Sequence, residues 1–342
     1  MEKMRAMVLS ECAKIETNPL KLTTIDRHEI KRPNEILLKI EACGVCHSQL
    51  HGIEGDWQDI GIPPCLPTVP GHEVVGKIIE IGDGVTKFKV GDRVSSVFWQ
   101  DWNSDVKTRM ISTGSDAAGV LSEYAVLPES AVLPIPDYMT YQEAATLPCA
   151  AVTAWTCIGA ANIKAGDNVL LLGTGGVSIF GLQIAKALGA NVIITSSSDD
   201  KLARAADLGA DATINYKDNP DWGKQAFEAA GAGVNLVIEI GGGGTFNQSM
   251  EALTIGGHIS IIGALSGVST ELNLLSMVFK NVHTHGITVG TREDHEAMNH
   301  FFSEHQIHPI IDKEVSFDQG ADAIIGIASG NHFGKIVVNI NN

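Results

Sequence analysis

Three residues of this chain have the chemistry of metal ligands and stand in informative company: Cys46, His72 and Cys149. The first two lie in Gly44-Val45-Cys46-His47-Ser48-Gln49-Leu50-His51 and in Gly71-His72-Glu73. A thiolate and an imidazole are borderline-soft donors that suit Zn²⁺. Cys149 falls just ahead of a glycine-rich run, Gly173-Thr174-Gly175-Gly176-Val177-Ser178. Three protein donors with an open fourth position, next to a nucleotide site, describe a catalytic metal rather than a structural one. Such an ion would polarise an alcohol or carbonyl oxygen. The hydroxylic proton then needs a way out, and Ser48 followed by His51 offers a hydroxyl and an imidazole in series. Cys43 and Cys46 also form a C-x-x-C, the pattern of a redox pair or half a structural zinc site. No second C-x-x-C and no thioredoxin-like context accompany it.

The glycine run follows Asn168-Val169-Leu170-Leu171-Leu172, a continuous apolar stretch that reads as a buried strand. A helix opens after it and stops at Gly189. Glycines permit the tight turn and a close approach to pyrophosphate, and the helix N-terminus adds N–H groups and positive dipole. Gly173, Gly175, Gly176 and Val177 are therefore candidate cofactor contacts, with Ser178 in place of a third glycine. The second strand ends in Thr195-Ser196-Ser197-Ser198, without the carboxylate that usually holds an NAD ribose. Hydroxyls at Ser196 and Ser197, with Lys201 and Arg204 on the next helix, predict NADP(H) over NAD(H). Asp199 and Asp200 are the opposing features.

These residues need elements to position them, and 342 residues suffice for two domains. Residues 1–150 read as a β-rich, irregular antiparallel or barrel-like domain, with short apolar segments between Gly, Pro and Asp. Residues 151–289 alternate strand and helix, which predicts βαβ units and a parallel sheet. Over 290–342 the alternation fades, and Gly334-Lys335-Ile336-Val337-Val338 returns a strand to the first domain. The fold class is α/β.

A net charge of −16 argues against a nucleic-acid partner. No apolar h-region follows the N-terminus and no apolar run could span a bilayer, so a cytoplasmic protein without membrane contact is expected. In that setting a disulfide framework is not expected, and Cys12, Cys65 and Cys157 read as small buried hydrophobes.

The motifs around Cys46 and His72, together with Gly91-Asp92-Arg93-Val94, Cys149 with Thr153, and the Gly173 run, resemble the zinc-containing alcohol dehydrogenases of the medium-chain dehydrogenase/reductase superfamily. The resemblance covers essentially the whole chain. It implies a GroES-like catalytic domain, a Rossmann domain, and oxidation of an alcohol or reduction of the matching aldehyde or ketone. Cys46, His72 and Cys149 resemble the catalytic zinc ligands, and Glu73 a carboxylate able to approach the metal. Ser48 and His51 resemble a proton relay. His47, Thr153, Gly263 and Leu265 resemble cofactor contacts, and Trp57 and Phe98 fall where the family lines its substrate pocket. A homodimer or homotetramer is implied.

Two departures from the family pattern stand out. Residues 95–120 contain no cysteine, so one catalytic zinc and no structural zinc is expected. Gln49 and Lys335 stand where relatives carry an Asp and an Arg, and loss of that charged support should weaken ligand orientation. Leu147–Trp155, Thr195–Ser198 and Gly263–Gly267 also resemble zinc-free quinone and enoyl reductases of the superfamily. That is the alternative reading.

Overall fold

The computed structural model describes residues 2–56, 58, 65–100 and 119–341. Its contacts divide into two compact units, Met1–Cys149 with Thr291–Asn342, and Ala150–Gly290.

The first unit begins with an antiparallel pair, β1 (Lys3–Leu9) and β2 (Leu20–Asp26). Five further strands follow: β3 (Glu35–Val45), β4 (Val74–Ile81), β5 (Arg93–Ser96), β6 (Tyr124–Pro128) and β7 (Val132–Pro134). β3 is the central strand, pairing with β4 and β6. Its apolar residues Ile36, Leu38 and Ile40 are fully buried and meet Val74, Ile78, Val94 and Leu127 in one core. Full burial of an aliphatic side chain is worth about 1.5–3 kcal/mol, so this core holds β3 and β4 together across register shifts at Leu37/Leu38 and Ile40/Ala42.

The second unit carries β8 (Asn168–Leu171), β9 (Asn191–Ser196), β10 (Ala212–Asn215), β11 (Val234–Glu239), β12 (Leu253–Ile261) and β13 (His283–Gly286). They form a parallel six-stranded sheet in the order β10-β9-β8-β11-β12-β13. Val169, Leu170, Leu171, Val192 and Ile194 are all buried. Consecutive rather than alternating burial is what helices on both faces of a parallel sheet produce. The order reverses between β8 and β11, the topological switch point where dinucleotides bind. The expected α/β class, with a GroES-like unit and a Rossmann sheet, is the class observed.

After Gly290 the regularity does not fade as expected. A helix spans Arg292–His305, then come β14 (Ile311–Ser316), a helix Gly320–Ala328 and β15 (Lys335–Asn339). Thr291 and Asp294 form a capping box that starts the first helix. β14 hides from a pattern reading because Asp312, Lys313 and Glu314 are exposed on a sheet edge. β15 pairs antiparallel with β3, so the chain does return to the first sheet. The cysteines expected to be buried also split: Cys157 is buried, Cys12 half-buried and Cys65 exposed.

His295, on the Arg292–His305 helix, is 1% exposed and its Nε2 has no hydrogen-bond partner among the described residues. Burial, with a smaller contribution from Arg292, pushes its pKa from 6.5 down to about 3. On acidification the unfolded chain therefore takes the proton first. The stability held above pH 6.5 is lost as pH falls toward 3, at roughly 1.4 kcal/mol per pH unit. Chemical denaturation of His295→Leu should show a flatter loss of stability below pH 6.5 than the parent chain. An equal slope in both proteins would count against this assignment.

Candidate active site

The register of β3 against β4 explains how residues so far apart in sequence meet. Cys43 pairs with Val74, so Cys46, just beyond β3, and His72, just before β4, emerge at the same end of the ladder. Gly44 N–H donates to Glu73 O at 3.0 Å. Ser96 Oγ donates to His72 O at 2.7 Å and accepts from Val74 N at 3.1 Å, which fixes the backbone around His72.

Cys46 is the N-cap of the helix His47–Glu54, and Gln49 Oε1 accepts its N–H at 3.1 Å. Cys149 sits in a single π turn, Leu147–Ala151. Such turns recur at functional sites. Gly44 lets the strand approach this segment: a Cβ at position 44 would lie 2.4 Å from Ala145 O.

The outcome is a buried convergence. Cys46 Sγ lies 2.8 Å from His72 Nε2, and the donor atoms of Cys46, His72 and Cys149 all lie within 4.8 Å of one another. Ser48 Oγ stands among them, 2.7 Å from Cys46 Sγ, 3.0 Å from His72 Nε2 and 3.9 Å from Cys149 Sγ. Two sulfurs and one imidazole nitrogen are a donor set that fits a catalytic zinc. Burial would raise the Cys46 thiol, but the Cys149 hydrogen bond, His72 and Lys335 outweigh it and hold it well below its ordinary value. Cys149 is pushed well above, first by its bond to Cys46 and then by burial. Cys46 is therefore the readier thiolate, the form a metal requires.

Behind the candidate ligands a buried ion pair stands beside the uncharged Gln49. Lys335 Nζ reaches Glu73 Oε2 at 2.6 Å and Val45 O at 2.8 Å, with both side chains buried. The ammonium finds its carboxylate at Glu73, because Lys335 opens β15 where that strand pairs with the end of β3. Burial pushes the Glu73 carboxyl up, against the pull of Lys335. Burial would likewise lower Lys335, but Glu73, Cys46 and Cys149 reverse that and hold it protonated. The pull on Lys335 decides the state: Nζ is the donor and Oε2 the acceptor. Glu73 Oε2 is held by Lys335, Oε1 has no hydrogen-bond partner among the described residues, and the carboxylate is not one of the three clustered donors.

His51 lies one turn beyond Ser48 on the same helix, at the surface, with Nδ1 2.8 Å from Asp56 Oδ2. Sequence reasoning missed Asp56, whose only signal is its place just past the helix-ending Gly55. The rings of His47 and His51 are 5.8 Å apart. Phe98 is buried and packs on the ligand His72, with ring centroids 4.5 Å apart. Trp57 lies outside the described residues.

In the second unit, Gly173 (φ +69°) makes the turn after β8, and Gly175 is the N-cap of the helix Gly176–Ala187. Ser178, in the third-glycine position, is buried and donates to Leu172 O at 2.6 Å. Close packing of helix on strand falls to Gly181, where a Cβ would lie 3.0 Å from Leu171 Cδ2. Gly173 N–H donates to Thr195 Oγ1 at 3.3 Å, joining the turn to the end of β9. Ser196 is buried there and Ser197 and Lys201 are half-buried. Ser198 caps the helix Asp199–Asp207, and Asp199 Oδ1 accepts from Asn215 at 2.8 Å. Thr153 is buried within the helix Val152–Ala160. Gly263 and Leu265 lie beyond β12, with Leu265 exposed.

Removing one partner of a buried ion pair strands the other, at a cost of about 3–5 kcal/mol. Lys335→Met should lose stability on that scale, and adding Glu73→Gln should restore a large part of it. A double-mutant cycle by urea denaturation measures the coupling; additive losses would contradict the pairing.

Comparison with known proteins gives the family. Residues 32–137 match the model of the alcohol dehydrogenase GroES-like domain, and residues 176–304 that of the zinc-binding dehydrogenase. A zinc-type alcohol dehydrogenase-like protein of Schizosaccharomyces pombe is 39% identical over 320 residues, covering 90% of this chain and 92% of its own. An alcohol dehydrogenase of Geobacillus stearothermophilus is 32% identical over 321 residues, covering 90% and 91%. The crystal structure of an NAD-dependent alcohol dehydrogenase superposes with a TM-score of 0.90 at 29% identity, covering 99% of this chain and 100% of that one. The chain belongs to the zinc-type alcohol dehydrogenases of the medium-chain dehydrogenase/reductase superfamily.

Proposed function

We propose that this protein transfers a hydride between NADP(H) and a primary or secondary alcohol, or the matching aldehyde or ketone, with the help of one zinc ion. The observation that carries the reading is the convergence of Cys46, His72 and Cys149 with the Ser48 hydroxyl among them. Those three side chains would hold the zinc, which supplies Lewis acidity toward a substrate oxygen. A bound nicotinamide supplies or accepts the hydride. The protein's own part is orientation and proton movement. The Lys335–Glu73 pair and Gln49 hold the ligand-bearing backbone. Ser48 Oγ passes the hydroxylic proton, and His51, oriented by Asp56, exchanges it with solvent.

The choice of NADP(H) rests on Ser196 and Ser197 at the end of β9, with no carboxylate in that strand, and on Lys201 in the helix Asp199–Asp207. The glycine turn at Gly173–Val177 with the helix behind it suits the pyrophosphate, and His47, Thr153, Gly263 and Leu265 are assigned to the remaining cofactor contacts.

A metal assay and a cofactor comparison on one sample test this reading. The expected result is about one zinc per chain, activity lost on exhaustive chelation, and a lower Michaelis constant for NADPH than for NADH. Full activity after chelation would favour the zinc-free quinone or enoyl reductase reading instead, and a clear NADH preference would remove the NADP assignment.

We also propose that the chain is a homo-oligomer formed through its second unit. β13 is an edge strand, and Leu274, Leu275, Val278 and Phe279 of the neighbouring helix are 65–79% exposed. An open strand edge beside a contiguous apolar patch is the surface a second copy covers. Light scattering should give a dimer or tetramer, and Phe279→Glu should shift it toward monomer; a monomeric parent chain would refute the assignment.

A further inference from the structure

Glu239 is the last residue of β11 and has no exposed surface. Burial of a carboxylate is costly unless hydrogen bonds replace its water, and here they do. Oε1 accepts from Gly241 N at 2.7 Å, Gly242 N at 2.9 Å and Thr245 Oγ1 at 2.6 Å. Oε2 accepts from Ser249 Oγ. Every donor belongs to the glycine run after β11 or to the helix that follows it.

That run is stitched in turn to the loop after β12. Gly243 N–H donates to Gly267 O, and Ser266 N–H to Gly241 O, both at 2.7 Å. Ser266 Oγ donates to the same Gly241 O at 2.7 Å, and Leu265 N–H to Ile240 O at 3.2 Å. Gly242 has φ +76°, and a Cβ there would lie 2.5 Å from Gly267 O. Gly241–Gly244 and Gly263–Gly267 therefore form one double loop at the carboxyl ends of β11 and β12, anchored through Glu239.

The location gives this anchor a role. β8 and β11 flank the switch point, where a dinucleotide spans two mononucleotide-binding halves. The glycine turn after β8 and the Ser196–Ser197 strand end lie on the adenosine half. The double loop lies on the other. We propose that Glu239 is a positioning residue for the nicotinamide half of the cofactor: its carboxylate sets the double loop against which that half is held. This rests on the dinucleotide reading given above.

The test separates the two halves of the ligand. Titration calorimetry would measure NADPH and 2′,5′-ADP, which lacks the nicotinamide half, on the parent chain and on Glu239→Gln. Glu239→Gln should weaken NADPH about tenfold while leaving 2′,5′-ADP within about twofold, the scale of losing a hydrogen bond to a charged acceptor. The midpoint of the NADPH fluorescence titration should rise by the same factor. Glu239→Asp, which keeps the charge, should recover part of the affinity. Thr245→Val cuts one tie without burying a new amide and should show the same selectivity at smaller size. Equal weakening of both ligands would mean a merely structural role and overturn the proposal, as would no change in either. The same titrations with NADH and ADP-ribose isolate the cofactor choice. Should the parent chain prefer NADH, that pair decides Glu239 and only the NADP assignment falls; a parent chain binding neither dinucleotide overturns both.

Discussion

The candidate metal site depends on the missing side chain of Gly44. A Cβ there would lie 2.4 Å from Ala145 O and 2.9 Å from Glu73 Oε2, so no other residue fits without moving backbone. On one side of this point runs the segment leading to Cys149; on the other runs the one carrying His72 and Glu73. Cys46 itself is two residues on. One close approach therefore brings the three ligand-bearing segments together. The β3–β4 register and the buried Lys335–Glu73 pair keep them there. Because interiors are packed as densely as organic crystals, such a contact sets ligand positions instead of merely tolerating them.

The second unit applies the same device differently. Glycines at Gly173, Gly181 and Gly242 allow a turn, a helix–strand contact and a loop–loop contact in turn. At Gly181 and Gly242 an added Cβ would lie 3.0 Å and 2.5 Å from its neighbour, while Gly173 supplies the positive φ of its turn. Polar residues then fasten what the glycines permit: Ser178 on Leu172, Thr195 on Gly173, and Glu239 on the double loop. Ser178 shows why the glycine fingerprint is looser than its usual form. The close helix–strand contact falls at Gly181, and the serine hydroxyl donates to Leu172 O.

Much of this was legible in the sequence, for physical reasons. Continuous apolar runs announce buried parallel strands, soft donors in short motifs announce a candidate metal site, and a glycine run between strand and helix announces a nucleotide turn. Cys46, His72 and Cys149 could be named, and so could the Gly173 turn. What was not legible depends on three-dimensional pairing between distant residues. Lys335 reads as a lost arginine until β15 is seen against β3, which delivers its ammonium to Glu73. Asp56 and Glu239 read as ordinary acids, because nothing local distinguishes a carboxylate beside His51, or one that anchors two loops. β14 escaped because an edge strand lined with charge shows no apolar period.

The central claim is that two thiolates and one imidazole form a single metal site with room for a substrate oxygen. The absorption spectrum of the cobalt-substituted protein tests it most directly, since geometry and sulfur donors both shape the bands of that ion. Four-coordinate cobalt with thiolate-to-metal charge transfer should give intense visible bands, weakened in Cys149→Ser and again in Cys46→Ser. A weak, octahedral-type spectrum indifferent to both substitutions would contradict it.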